Sequence, residues 1–259
     1  QVKQLSIAGP PPSELPATSA SVAANVVSGA WRRVLLLGEG DFSFASAAAI
    51  LHQDCDLDAT TVLDEEQWKE RFSEHEICVE SLRKIGHQVR FGVDARQEDC
   101  AKYSMVMFNF PAVSMQDCKD DKDFKPEKAG CINGDLVTDF LKNAQATSDV
   151  GTLLVLGLWG RCEGLADRRL YGQDSHELVA TALAECDEPA EPTAAVNGRR
   201  LEDALTAGFL RSGIHADYSF YKPYNEEGYA FRSSSGAASF ESSHKEWHLQ
   251  ACFVLRVVA

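Results

Sequence analysis

Short apolar runs and longer amphipathic stretches alternate along this chain from Trp31 onward. The runs read as strands at 33–38, 58–63, 88–93, 103–109 and 151–158, in the manner of a parallel sheet covered on both faces. The clearest helix is Glu65 to Ile85, where Trp68, Phe72, Val79 and Leu82 recur at spacings of four, seven and three on one face. His75 falls on the same stripe and reads as a packing histidine, because no nucleophile or metal ligand accompanies it. Further helices are expected at Phe42–Leu51, Asn133–Ala146, Ser175–Glu185 and Leu201–Arg211, with a solvated charged loop at Gln116 to Gly130 and breakers at Asp187 to Gly198. Two strands close the chain, Ile214 to Tyr221 and His248 to Val258, joined by a Gly/Ser-rich loop at 232–243. Their closeness in sequence favours an antiparallel pair. Residues 1–30 hold four of the nine prolines and no sustained period, so they read as an extended arm before a single domain at 31–259.

Five parallel strands followed by a linked strand pair is the pattern of a seven-stranded methyltransferase sheet, whereas a dinucleotide dehydrogenase would continue with another parallel βα unit. The stretch Val34 to Phe44 narrows the choice, since an apolar strand runs directly into a turn of Gly38, Glu39 and Gly40 and then into a helix start. Gly38 permits the sharp bend and Gly40 lets backbone N–H groups approach a ligand with no Cβ in the way. In an open parallel sheet the ligand lies across the carboxyl ends of the strands, so the residues just past each strand belong together. Here they are Gly38-Glu39-Gly40-Asp41, then Asp64, then Asp94, then Asn109-Phe110-Pro111. Asp64 is placed to accept from ribose hydroxyls and Asp94 from an exocyclic amino group such as that of adenine. Each acid alone is more often a helix cap or a turn residue, and it is their recurrence at successive strand ends that favours a cofactor site. The amide of Asn109, the ring of Phe110 and the turn fixed by Pro111 suit a planar base, held by a hydrogen bond to a ring N–H and by stacking.

The composition changes the picture in two ways. A formal net charge of −14 means that the chain as a whole repels RNA. A nucleic-acid role therefore needs a local basic patch, for which Arg161, Arg168, Arg169, Arg199, Arg200, Arg211, Lys222 and Arg232 are candidates, or a protein partner that supplies the charge. Eight cysteines with no Cys-x-x-Cys pair read as reduced thiols of an intracellular protein, not as a disulfide frame or a zinc site. No metal is expected. No apolar run reaches the roughly 18 residues of a membrane span. No Ser-His-Asp order or Walker lysine is present, and His244-Lys-Glu-Trp-His248 lacks the spacing of a zinc-protease helix. The first residue, Gln1, is compatible with either a removed targeting peptide or a cut boundary.

With these motifs in view, the chain resembles the uridine-N3 ribosomal-RNA methyltransferase-like domain of large-subunit rRNA modification enzymes. The resemblance is carried by Leu-Leu-Leu-Gly-Glu-Gly-Asp-Phe-Ser-Phe at 35–44, Thr-Val-Leu-Asp at 61–64, Gly-Val-Asp-Ala at 92–95 and Phe-Asn-Phe-Pro at 108–111. A looser echo is Tyr-Lys-Pro-Tyr with a later Gly-Tyr and Arg, at 221–232. The resemblance implies an α/β, Rossmann-like class I methyltransferase fold with a mostly parallel seven-stranded sheet and a C-terminal antiparallel strand pair. It implies S-adenosylmethionine as donor, held by Gly38, Glu39, Gly40, Asp41, Phe42, Ser43, Asp64, Asp94 and Ala95. It also implies an rRNA uridine as acceptor, received by Asn109, Phe110 and Pro111, with ribosomal or assembly proteins as further partners. The location it implies is the nucleolus or nucleus, with the mitochondrion as alternative.

Two departures from the family pattern keep a second reading open. Ala112 stands where a histidine usually follows Phe-Asn-Phe-Pro, and Leu156 to Glu163 lacks the family's lysine, leaving Arg161 as the nearby cation. Arginine keeps the charge but is no base near neutral pH. The alternative is a methyltransferase-like protein with weakened chemistry, serving as a structural or assembly component of a ribonucleoprotein.

Overall fold

The computed structural model describes residues 33–112, 126–159, 175–187, 200–203, 224–229 and 250–259. The elements in chain order are β1 (Arg33–Leu37), α1 (Ser43–Leu51), β2 (Asp56–Thr60), α2 (Glu65–Phe72), α3 (Glu76–Lys84), β3 (Gln88–Arg90), β4 (Met105–Asn109), α4 (Pro126–Thr147), β5 (Leu153–Trp159), α5 (Ser175–Asp187), β6 (Arg200–Asp203) and β7 (Gln250–Val258). The seven strands form one sheet in the order β3-β2-β1-β4-β5-β7-β6. β1 to β5 run parallel, and β7 lies antiparallel to both β5 and β6.

The continuous apolar runs of the central strands are explained by burial on both faces. Successive side chains of a strand point to opposite sides, so β1 sends Val34 and Leu36 to one core and Leu35 and Leu37 to another. Val34 and Leu36 join Met105, Met107 and Val155 beneath α1, α2 and α3, where Ala45, Ala48, Trp68, Phe72, Val79 and Leu82 close the layer. Leu35 and Leu37 join Val106, Phe108, Leu154 and Leu156 against Val137, Phe140 and Leu141 of α4 and Leu178 and Val179 of α5. The small residues of α1 let that helix sit close to the sheet.

Three expectations are corrected. The single helix expected over 65–85 is broken by a 3-10 turn at Ser73–His75, which bridges the seven-residue gap between Phe72 and Val79. The charged loop ends early, since α4 begins at Pro126, a residue whose missing N–H costs nothing in the first turn. Residues 200–203 are strand, not the start of a helix, because pairing with β7 outweighs a weak local preference. β7 pairs antiparallel with β5 and with β6, in keeping with the expected C-terminal antiparallel pair. The expected arm at 1–30, the loop at 116–125, the strand at 214–221 and the cations Arg161, Arg168, Arg169, Arg199, Arg211, Lys222 and Arg232 lie outside the described residues. Among those residues no helix is long and apolar enough to cross a membrane.

Candidate functional site

The chain moves outward from β1 to β2 and β3, then returns to place β4 on the other side of β1. The strand order reverses there, so a crevice opens past the carboxyl ends of β1 and β4. Two turns flank it, Gly38 to Phe42 after β1 and Phe110 to Ala112 after β4.

The first turn is fixed on three sides. Gly38 has φ +69°, and a Cβ built there would stand 2.4 Å from Cε2 of Phe108, whose ring is wedged edge-on against Phe140. The Glu39 N–H donates to the Thr60 carbonyl at 2.8 Å, tying the turn to the end of β2. The Trp68 indole N–H donates to the Gly40 carbonyl at 2.7 Å, tying it to α2. Exposure alternates along the turn, with Gly38 and Gly40 open and Glu39 and Asp41 buried, so the turn presents backbone outward and carboxyl groups inward.

Those carboxyl groups meet the N-terminus of α1. Asp41 Oδ1 accepts from the Ser43 N–H at 2.9 Å and Glu39 Oε2 from the Ala45 N–H at 3.1 Å. Two of the donors that usually make a helix start an anion site are therefore engaged by the protein's own acids. Burial pushes the Glu39 carboxyl up to about 8, against the Ala45 amide that favours the anion and with the Asp41 charge acting in the same direction as burial. Nδ1 of His75 lies 3.7 Å from Asp41 Oδ2, delivered there by the 3-10 turn. The Ser43 hydroxyl is buried with no hydrogen-bond partner among the described residues.

Two further side chains come from far along the sequence. Residues 224–229 form a short helical turn closed by the Tyr229 N–H on the Tyr224 carbonyl at 2.9 Å. Both rings pack on Phe44 of α1, with centroids 4.6 Å away for Tyr224 and 5.1 Å for Tyr229. Tyr224 also shares a hydrogen bond of 3.1 Å with His52. Burial holds the Tyr229 phenol protonated well above its usual range, and the charges of Glu39 and Asp41 add to that. Tyr224 and Tyr229 belong to the same core as Phe110. Sequence reasoning did not single them out as site residues; the echo at 221–232 was the available signal. His75 reads from the sequence as a packing histidine, and the structure places its half-buried ring beside Asp41.

The remaining expected residues sit as follows. Phe42 is αL at φ +59° and 0% exposed, its ring 5.5 Å from Trp68 and 5.7 Å from Phe91, so its side chain serves the core. Asp64 is exposed past β2 and caps α2, accepting from the Gln67 N–H at 2.8 Å while the Gln67 side chain returns to the Asp64 N–H. Asp94 receives the Arg96 guanidinium on both oxygens, at 2.7 to 3.1 Å, and that pairing keeps its carboxyl below the usual range. Ala95 is buried in the second core. Asn109 ends β4 opposite Gly157 of β5. Phe110 is αL at φ +52° and donates its N–H to the Gly157 carbonyl at 2.7 Å; Pro111 beside it is buried. Phe42 and Phe110 are the non-glycine residues with positive φ among those described, and each sits at one of the two turns flanking the crevice. Bulky residues adopt this conformation at a cost, and such strain concentrates at functional sites. Among the described residues no group of three or more His, Cys, Asp or Glu side chains is placed to hold a metal ion.

The sheet order with an antiparallel seventh strand is that of the Rossmann-like class I methyltransferase fold. Solved structures of partial likeness include a mutant of the 16S rRNA (adenine(1408)-N(1))-methyltransferase from Catenulisporales acidiphilia, at 16% identity and a TM-score of 0.43, over 95% of this chain and 95% of that one. Others are the StiE O-MT, residues 961-1257, at 17% and 0.41 over 91% and 70%, and the O-methyltransferase NcsB1 from neocarzinostatin biosynthesis, at 16% and 0.43 over 65% and 46%. No curated protein sequence matches the chain. Residues 35–161, from β1 to just past β5, match the family model described as BMT5-like, rRNA (uridine-N3-)-methyltransferase.

Proposed function

We propose that this chain is an S-adenosylmethionine-dependent methyltransferase that acts on ribosomal RNA, at N3 of a uridine. The family match supports methyl transfer to rRNA. The observation that carries the choice of donor is the start of α1, where Asp41 and Glu39 already occupy the Ser43 and Ala45 amides. A pyrophosphate, the anchor of a dinucleotide, would meet two acids there in place of free N–H groups. A donor with an ammonium group and a sulfonium centre is compatible with two acids at that position. Gly40 fits the same reading: among the described residues a Cβ there would meet only Phe72, at an ordinary 3.7 Å, which leaves its exposed backbone open to a ligand.

When bound, S-adenosylmethionine supplies a methyl group on a positively charged sulfur. The exposed backbone of Gly38 and Gly40 holds the methionine portion, with the buried Ser43 hydroxyl available behind it. Asp64 has carboxylate capacity beyond its single cap bond and accepts from the ribose hydroxyls. Asp94 accepts the adenine amino group through lone pairs left over from Arg96, and Ala95 walls that side. Across the crevice Asn109 orients the uracil edge, Phe110 supports the ring and Pro111 fixes the turn. Alignment of N3 with the methyl group supplies much of the rate by proximity. N3 is paired in a duplex, so the uridine enters flipped or single-stranded.

The second reading, a fold retained as an assembly component, draws on Ala112 at the crevice edge in the place of the family's histidine. A map of N3-methyluridine across rRNA from cells with and without the protein separates the two. Loss of one modified site is the expected result; an unchanged map would leave the assembly role. Either role belongs where ribosomes are assembled, the nucleolus in this reading.

A further inference from the structure

The buried acid under the glycine turn has a consequence for how donor and product are told apart. Glu39 is 5% exposed, its side chain accepts one amide bond from Ala45, and its backbone is pinned to Thr60. The groups around it are Asp41 on the same turn, which acts on it as a like charge, and the Tyr229 phenol from the 224–229 turn; His75 from the 3-10 turn stands against Asp41. Near it in the chain, the Phe42 ring packs on Trp68 and the Phe44 ring of α1 on the two tyrosines. A carboxyl in such a place is neutral until a cation arrives.

We propose that Glu39 makes the donor site selective for charge, giving up its proton when the sulfonium donor binds and recovering it when the neutral thioether product remains. The inference rests on reading the crevice as the donor site. No bond to the donor forms: the Glu39 O–H breaks, its proton passes to solvent, and the carboxylate stays to balance the donor's extra positive charge. After methyl transfer the sulfur keeps the electron pair of the broken S–CH3 bond and is neutral, the counter-charge is no longer needed, and one proton returns from solvent. Donor binding is thereby proton-linked and product binding is not. The pKa of Glu39, pushed up by burial, sets the window in which the effect appears.

The test is calorimetric titration of the full chain with S-adenosylmethionine and, separately, with its demethylated thioether, from about pH 6 to about pH 8 in buffers of different ionisation heat. Donor affinity is expected to rise toward tenfold per pH unit over that range, with about one proton released per donor, while product affinity stays flat. Glu39→Gln keeps the acceptor for the Ala45 amide and is expected to flatten the donor curve and abolish the proton release. Equal, pH-independent affinities in the wild type overturn this inference and leave the donor site standing. Absence of binding by both molecules at every pH overturns the donor site, and the inference with it. The wild-type comparison decides the matter even where Glu39→Gln does not fold.

Discussion

At the scale of single residues the site is held by positions that tolerate no substitute. Gly38 combines a positive φ with a void that the Phe108 ring already fills. Gly38→Ala therefore adds backbone strain to overpacking, and the expected cost is about 3 kcal/mol, read as a lower urea midpoint with an unchanged slope. Glu39 gives a pH signature. Its folded-state pKa is raised, so the stability it contributes is complete below the unfolded value of 4.5 and is lost as pH rises through about 8. Relative to Glu39→Gln, wild-type unfolding free energy should fall between about pH 5 and about pH 9, by on the order of a few kcal/mol. A difference that stays constant with pH would show that the carboxyl is not held neutral. Both residues were legible in the sequence as members of the turn, but their opposite orientations were not. Periodicity places a residue on a strand or helix and says little about a four-residue bend.

At the scale of elements, α2 acts as a brace for the turn. Trp68 buries its ring against Phe42, Phe72 and Phe91 and spends its N–H on the Gly40 carbonyl. Trp68→Phe keeps most of the packing and removes that hydrogen bond; the expected loss is about 1 kcal/mol in stability together with a several-fold weaker donor affinity. A stability loss with unchanged affinity would show that the brace does not shape the donor site. The parallel strands were readable because burial on both faces forces unbroken apolar runs, as in Val34 to Leu37 and Leu153 to Leu158. β6 was not, because Arg200 to Asp203 has a strand's role only through its pairing with β7. The break between α2 and α3 was hidden because Phe72 and Val79 remain on one face across the 3-10 turn.

At the scale of the whole molecule, the topology and the electrostatics point in different directions. The reversal of strand order at β1 and β4 brings the glycine turn and the Asn109 turn, some seventy residues apart, to the two sides of one crevice. The two turns were legible as strand ends, whereas the side chains of Asp64 and Asp94 are engaged by the α2 cap and by Arg96. The contribution of Tyr224 and Tyr229 was not legible, because aromatic residues so distant in sequence reach α1 only through the closing of the tertiary core. A net charge of −14 opposes unaided binding to a phosphate backbone, so recognition of RNA requires a basic patch or a partner that supplies positive charge. The donor site needs neither, and it can be tested on the chain alone. Titration of S-adenosylmethionine into the wild type and into Asp64→Asn, which keeps the helix cap but loses the carboxylate, addresses the central claim. The account predicts one donor per chain and binding at least about tenfold weaker in the variant, the cost of a charge-assisted hydrogen bond. No binding by the wild type, or equal binding by the two proteins, would contradict it.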